Sequence, residues 1–454
     1  MQNLNLRGMR AFQVVWIGQL VSLLGTSMTG FALPIWIFGK TERVQEMAII
    51  GLCFMLPLLI VSPFAGAIVD RSNRKLMMMV SDLAAGLMTV VVWLLVVTGR
   101  LEIWHLYITS AISGTFQTFQ WPAYSAAISM MLPKEQYGRA HGLISLAEAG
   151  SGIFAPVLAG ALLGFVGLQG ILFIDIVSFI FAILTLSVVD IPQPPQTEAG
   201  RAGQGSIWKE SAYGFRYILQ RPSLLGLQIV FLLCNFIFNL STTTFAAMIL
   251  ARSNQNELIF GSVQSAGAVG GVVGAAIMSA WGGPKRRVNG VLAGWAFTGL
   301  CAILLGLGRG FYLWAMAIFL GALIGPIING SNQAIWQAKV APDVQGRVFS
   351  IRRLIAWGVS PLATLLAIPL ADSWLGPAML ERGSLTGTFG WLVGVGPGAG
   401  MSLLYIFSGI LLVMVGLGAY LFPVVRLAED LLPDHEAVWG DALPAGNETV
   451  APAG

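Results

Sequence analysis

Ten residues, Gly66-Ala-Ile-Val-Asp70-Arg71-Ser-Asn-Arg74-Lys75, set one acid and three bases between two long apolar runs. Charges that close to hydrocarbon persist where protein or water can pair them. Asp70 stands at the end of one apolar run, where a carboxylate can accept from the exposed N–H groups of another helix's first turn. Gly66 leaves room for a neighbouring helix to approach closely. Arg71, Arg74 and Lys75 favour the cytoplasmic face. Three further acids fall inside apolar runs. Asp82 lies about 10 Å and Glu148 about 13 Å into theirs, and Asp175 about 8 Å from the outer end of its own. A carboxyl that is out of water in one state and reachable in another can carry a proton, so all three are coupling candidates.

The composition says what kind of element positions these groups. Apolar residues make up 56% of the chain and charged residues 10%, whereas soluble domains carry about 25% charged residues. Twelve runs long enough to cross a bilayer can be marked. Spans 1 to 6 fall at 12–38, 48–69, 76–97, 104–131, 140–165 and 170–189. Spans 7 to 12 fall at 223–250, 259–281, 289–308, 311–338, 348–371 and 401–423. The first follows Arg7 and Arg10 but is too long for a signal peptide and lacks a small-x-small cleavage site. With a cytoplasmic N-terminus, 19 of the 25 Lys and Arg residues lie inside and 6 outside, the bias of the positive-inside rule. The basic character therefore follows from topology, not from nucleic-acid binding. The expected fold is all-α, with twelve transmembrane helices in two pseudo-symmetric six-helix bundles, 1–189 and 223–425. A connector, 190–222, joins them, and a mobile cytoplasmic tail, 426–454, follows. Both termini are expected in the cytoplasm, and the chain is expected to be a monomer.

Several chemistries find no support. Cys53, Cys234 and Cys301 sit in three separate spans, with no metal or disulfide spacing. His105, His141 and His435 are scattered and read as solvated. Gly39-Lys40-Thr41 has the end of a phosphate-binding loop, but Pro34 replaces its first glycine. No clustered His, Cys or paired acids make a catalytic constellation. Neither an enzyme nor a resident cofactor is expected.

Polar residues recur at helical spacing in four spans. Span 1 has Gln19, Ser22, Thr26 and Thr29, and span 4 has Ser113, Gln117, Gln120 and Tyr124. Span 7 has Asn235, Asn239 and Thr242, and span 10 has Asn329, Asn332, Gln333 and Gln337. Any one amide can line a cavity or glue two helices together. The set, with Trp121 and other aromatics nearby, suits a large amphipathic organic molecule rather than a small anion, which would call for a deep Arg or Lys. In the connector, 206–220 reads as an amphipathic helix, with Trp208, Ala212, Phe215 and Leu219 on one face and Lys209, Glu210 and Arg216 on the other.

The halves repeat. Pro133, Gln136 and Gly138-Arg139 after span 4 match Pro342, Gln345 and Gly346-Arg347 after span 10. Thr29-Gly-Phe31-Ala32 of span 1 matches Thr243-Thr-Phe245-Ala246 of span 7. Gly282-Gly-Pro284-Lys285-Arg286-Arg287 recurs where the ten-residue loop should, with the bases but without the acid. That loop, G-x-x-x-D-R-x-x-R-K, resembles the signature between helices 2 and 3 of the major facilitator superfamily of transporters. Asp175-Ile-Val-Ser178-Phe179, Gly396-Pro397-Gly398-Ala399-Gly400 and the final Glu429-Asp430-Leu-Leu-Pro433-Asp434 resemble its drug-efflux branch, which includes macrolide and siderophore exporters.

The resemblance implies that spans 1, 4, 7 and 10 line a central cavity, the same four that the polar stripes select. Ser151-x-x-x-Ala155-Pro156-x-x-Ala159-Gly160 resembles the branch's antiporter motif with three glycines replaced. Glu148 on the same face is thus the leading proton carrier. Asp82 can instead pair with the basic layer, and Asp175 with hydroxyl or backbone groups at the outer edge. The expected function is proton-coupled export of a bulky amphipathic compound by alternating access at the plasma membrane. The open alternatives are uptake or lipid flipping by the same fold, or a non-transporting sensor. The expected gate is Gly66, Asp70, Arg71, Arg74, Lys75, Arg347 and Arg352. Asp70 should sit near the first turn of span 11, with the three bases of its loop pairing locally.

Overall fold

A computed structural model describes residues 7–41, 44–193, 207–254 and 256–434, and no strand occurs among them. Spans 1 to 4 are the helices Met9–Thr41, Val44–Arg71, Arg74–Val97 and Ile103–Met131. Spans 5 and 6 form one run, Tyr137–Val188, broken at Gly167, whose φ of 63° only glycine adopts without strain. Spans 7 to 10 are Pro222–Thr242, Glu257–Trp281, Arg287–Leu307 and Phe311–Lys339. Span 11 begins as Gln345–Gly358, and span 12 is Ala399–Gly418. Ten of the described segments are long and apolar enough to cross a membrane. Division at Gly167 makes them eleven helices. Ile103–Met131, at 29 residues, is a twelfth of spanning length whose polar stripe lowers its hydropathy.

Local chemistry sets the ends. Asn73 caps span 3 by accepting from the Leu76 N–H at 3.2 Å, and Asn256 caps span 8 by accepting from Ile259 at 3.1 Å. Gly282, left-handed at φ 85°, stops span 8. Two predicted spans are interrupted. Span 7 breaks at Thr243–Thr244 and resumes as Phe245–Arg252. There Ser241, Thr242, Thr243 and Thr244 all turn their hydroxyls back onto carbonyls three or four residues earlier, which loosens a helix. Span 11 breaks before Ser360–Pro369 and continues into a π-helical turn, Leu370–Leu375. Pro361 and Pro369 each remove a ladder donor.

Within the first half span 1 packs on spans 5 and 6, and spans 2 and 3 pack on span 4. In the second half span 8 packs on span 10, and span 9 on spans 10 and 12. Small residues let these backbones touch. A Cβ at Gly274 of span 8 would lie 1.9 Å from the Leu323 carbonyl oxygen, and one at Gly270 2.2 Å from that of Phe319.

Three expectations are corrected. His141 is buried and hydrogen-bonded to Gln337 at 2.8 Å, not solvated, because span 10 covers it. The described tail, to Asp434, is docked rather than mobile, held by Lys339 and by a helical turn at Ala428–Leu431. The connector helix, Ile207–Leu219, buries Glu210 of its predicted charged face against the bundles. Glu210, Gly214, Tyr217 and Ile218 are buried against the bundles, while Phe215 and Leu219 stay exposed. Trp208's side chain, His435 and the rest of the tail lie outside the described residues.

Gly274→Val should lower the detergent-solubilised protein's stability by about 1–3 kcal/mol, read as its melting temperature. Gly271→Val, on the same helix with nothing within 4 Å of the added Cβ, should leave it unchanged.

Candidate functional site

The hydrogen bonds and ion pairs described between the two halves gather at one end, that of the Lys/Arg-rich loops, termed here the basic end. Gly66 of span 2 lies so close to span 11 that a Cβ there would fall 2.2 Å from the Gly346 carbonyl oxygen. One turn on, the Asp70 carboxylate, fully buried, accepts from the N–H of Gly346 at 2.8 Å and of Arg347 at 2.9 Å. Those are orphan amides of the first turn of Gln345–Gly358. The Arg347 guanidinium lies 3.3 Å from the same carboxylate.

The three bases do not all pair locally. Lys75 does, donating to the Ser187 and Val189 carbonyls at the end of span 6 at 2.8 and 2.7 Å. Arg74, buried, reaches the Pro342 carbonyl of the other half. Arg71 makes a two-point bond to Glu210 of the connector helix, at 2.9 and 2.7 Å. Glu210 is also 3.9 Å from Arg347, so one buried carboxylate joins arginines of both halves. Sequence reasoning missed it because it placed Glu210 on the face opposite the apolar one and gave that face no partner. The signal available was an acid one turn before Gly214, where a Cβ would meet the Arg347 carbonyl at 2.6 Å. Arg352 is not beside Asp70. It donates to Gln333 at 2.5 Å and lies over the Trp336 ring.

On the other side of this end the halves meet without the acid. A Cβ at Gly138 would lie 1.9 Å from the Gly282 carbonyl oxygen, and one at Gly142 2.3 Å from the Ser279 nitrogen. Deeper, Ser125 accepts from Gln333 at 2.7 Å, and Ser129 donates to Gln345 at 2.6 Å. Trp121 packs on Phe349, ring centres 6.2 Å apart, and under Arg353.

Among the described residues, one cavity is lined by the first half alone. Its volume is about 550 Å³, and spans 1, 2, 3, 4 and 6 of the first half line it. Gln19, Thr26, Ser113, Gln117 and Gln120 face it, as do Asp82 and Asp175. No Lys or Arg is among its described lining residues. Asp82 is not paired with the basic layer. It accepts from Gln19 at 2.8 Å and Gln120 at 2.9 Å, and Gln120 also donates to Gln19 at 3.0 Å. Asp175, buried, accepts from Thr26, Thr29 and Thr89 at 3.1, 3.1 and 3.2 Å. Glu148 is exposed on span 5, outside this cavity, within electrostatic reach of Arg353 across the seam.

The remaining predicted cavity residues are not in it. Asn332 is fully buried in span 10, Gln333 is buried in the closed seam, and Trp121 packs on Phe349 there. Asn235 and Asn239 donate to carbonyls of their own helix, Phe231 and Asn235, at 2.7 and 2.8 Å. Asn329 is exposed. Helical spacing reports a shared face but not what that face meets.

Asp70→Asn should release the span 11 amides. Losing a charge-assisted bond of this kind weakens protection by about tenfold or more, measured as hydrogen exchange of a peptide covering Gly346 and Arg347. Unchanged exchange there would show that the amides are protected without Asp70.

Residues 15–364 match the family model described as Major Facilitator Superfamily. The chain is 24% identical over 367 residues to Macrolide efflux protein A of Streptococcus pyogenes, covering 80% of this chain and 89% of that protein. It is 27% identical over 380 residues to Multidrug efflux pump Tap of Mycolicibacterium fortuitum, covering 79% and 89%. Its fold resembles the crystal structure of a bacterial homologue of the iron transporter ferroportin in an outward-facing state. That likeness has a TM-score of 0.66 at 16% identity and covers 91% of this chain and all of that one. A family match over most of the chain, on a helical fold shared with a solved transporter, means that this protein belongs to the Major Facilitator Superfamily.

Proposed function

We propose that this transporter exports a bulky amphipathic organic compound, neutral or cationic, in exchange for protons across the plasma membrane. The observation that carries the reading is the cavity of about 550 Å³, with two carboxylates, several amides and no base among its described lining residues. Such a site suits an organic cation and disfavours free phosphate or a dicarboxylate. Relatives named for macrolide and multidrug efflux support drugs, macrolides or siderophores as the class.

The basic end is taken as cytoplasmic, with both termini there, since 19 of 25 Lys and Arg residues fall on that side. The conformer described is then closed to the cytoplasm. Alternating access requires a second conformer in which the Asp70 and Glu210 bonds part and the cavity faces inward. Its carrier of protons is assigned to Asp82, ahead of Glu148 and Asp175. Asp82 shares the cavity with the proposed cargo, so cation and proton compete for one carboxylate. Gln19 and Gln120 hold the ionised form in place while the cation is bound. On the outer side a proton neutralises Asp82 and the cation leaves, and on the inner side the proton leaves and a cation takes its place. Glu148 already faces Arg353, and Asp175 is spanned by three hydroxyls.

Transport in inside-out vesicles under an imposed pH gradient tests this, with a panel of dyes, macrolides and siderophores. Asp82→Asn should abolish gradient-driven accumulation while leaving binding of neutral compounds in place. Gln117→Ala should change the ranking of compounds more than the amount of protein in the membrane. Full coupling in Asp82→Asn would move the carrier to Glu148 or Asp175. Accumulation in the opposite sense, or preference for small anions, would sink the export reading.

A further inference from the structure

The segment that follows span 12 crosses the seam between the two halves. Lys339, at the end of span 10, is buried and donates to the Glu429 and Leu432 carbonyls of the tail. Glu429 in turn accepts from the Val288 N–H at the start of span 9, at 2.9 Å. The tail is thus anchored on the second half. At the last described residue of the tail, Asp434 lies 2.8 Å from Lys339 and 3.5 Å from Lys134. Lys134 belongs to the first half, in the loop between spans 4 and 5.

We propose that the tail is a strap that holds the basic end shut, with Asp434 as its clasp. The place is telling. The Asp70 contact closes the spans 2 and 11 side. On the spans 5 and 8 side the repeated loop has Gly282 in backbone contact with Gly138 and carries no acid. The tail supplies a carboxylate on that side. When the halves part at this end, Lys134 moves away with the first half while the tail stays with Lys339 and Val288, so the Asp434–Lys134 pair exists only in the closed state. Partial burial works to raise the Asp434 carboxyl, but the Lys339 and Lys134 ammonium groups outweigh it and hold it below its ordinary value. The clasp is therefore ionised at neutral pH. Being partly exposed, it is a modest bias on the equilibrium rather than a lock.

The strap rests on the alternating-access reading, but its test needs no transported compound. Spin labels at Glu135 and Lys285, in the full chain with Cys53, Cys234 and Cys301 replaced by serine, report the distance across this seam. Asp434→Asn should raise the separated population about threefold, and Asp434→Glu should leave it near the starting value. Asp430→Asn is the control, because Asp430 pairs with Arg286 of its own half, at 3.6 Å, and should not move the distribution. An unchanged distribution in Asp434→Asn, or an equal shift in Asp430→Asn, would overturn the clasp.

Discussion

A helix that starts inside a protein leaves its first N–H groups without partners, and here those of span 11 are satisfied from the other half of the molecule. Asp70 accepts from Gly346 and Arg347 because Gly66 lets the two backbones come within touching distance. Separation of the halves at this end leaves two amides and a carboxylate to find water. Hydrogen-bond satisfaction and conformational state are thereby one variable. Arg71, Glu210 and Arg347 extend the same contact through the connector, so the segment joining the bundles is part of that contact rather than a tether.

The internal repeat is preserved in backbone and broken in charge. Gly138 meets Gly282 as Gly66 meets Gly346, by close approach of small residues. Only one of the two seams keeps the acid. A repeat needs both backbones to approach if both sides are to close, and that holds the glycines. The electrostatic part can be supplied from elsewhere, by a connector on one side and a tail on the other.

The cavity departs from symmetry in the same way. Amides and acids of spans 1, 3, 4 and 6 satisfy one another around an open space. Gln333 and Gln337 of span 10 are consumed at the seam, where Gln333 bridges Ser125 and Arg352 and Gln337 meets Ser125 and His141. Polar groups in a bilayer must find partners. In this conformer the first half uses them to line a space and the second to close one.

Much was legible in the sequence. Hydropathy placed the spans, because backbone groups in hydrocarbon must be satisfied within each segment and only long apolar helices do so cheaply. The ten-residue loop placed Asp70 at the first turn of span 11 and Gly66 at a close helix approach, because a carboxylate at a helix end can accept from orphan amides and a glycine leaves room for a backbone. The breaks in spans 7 and 11 were written in Ser, Thr and Pro but were masked by the length of the apolar runs. Tertiary structure decided the rest. It set which face of the connector is buried, that the described tail is docked, and that Asp82 answers to two glutamines instead of to arginines. Each of these depends on residues far apart in the chain. A helical period fixes which side chains share a face, but the partner that face meets is set by how whole helices pack, and no local spacing encodes that.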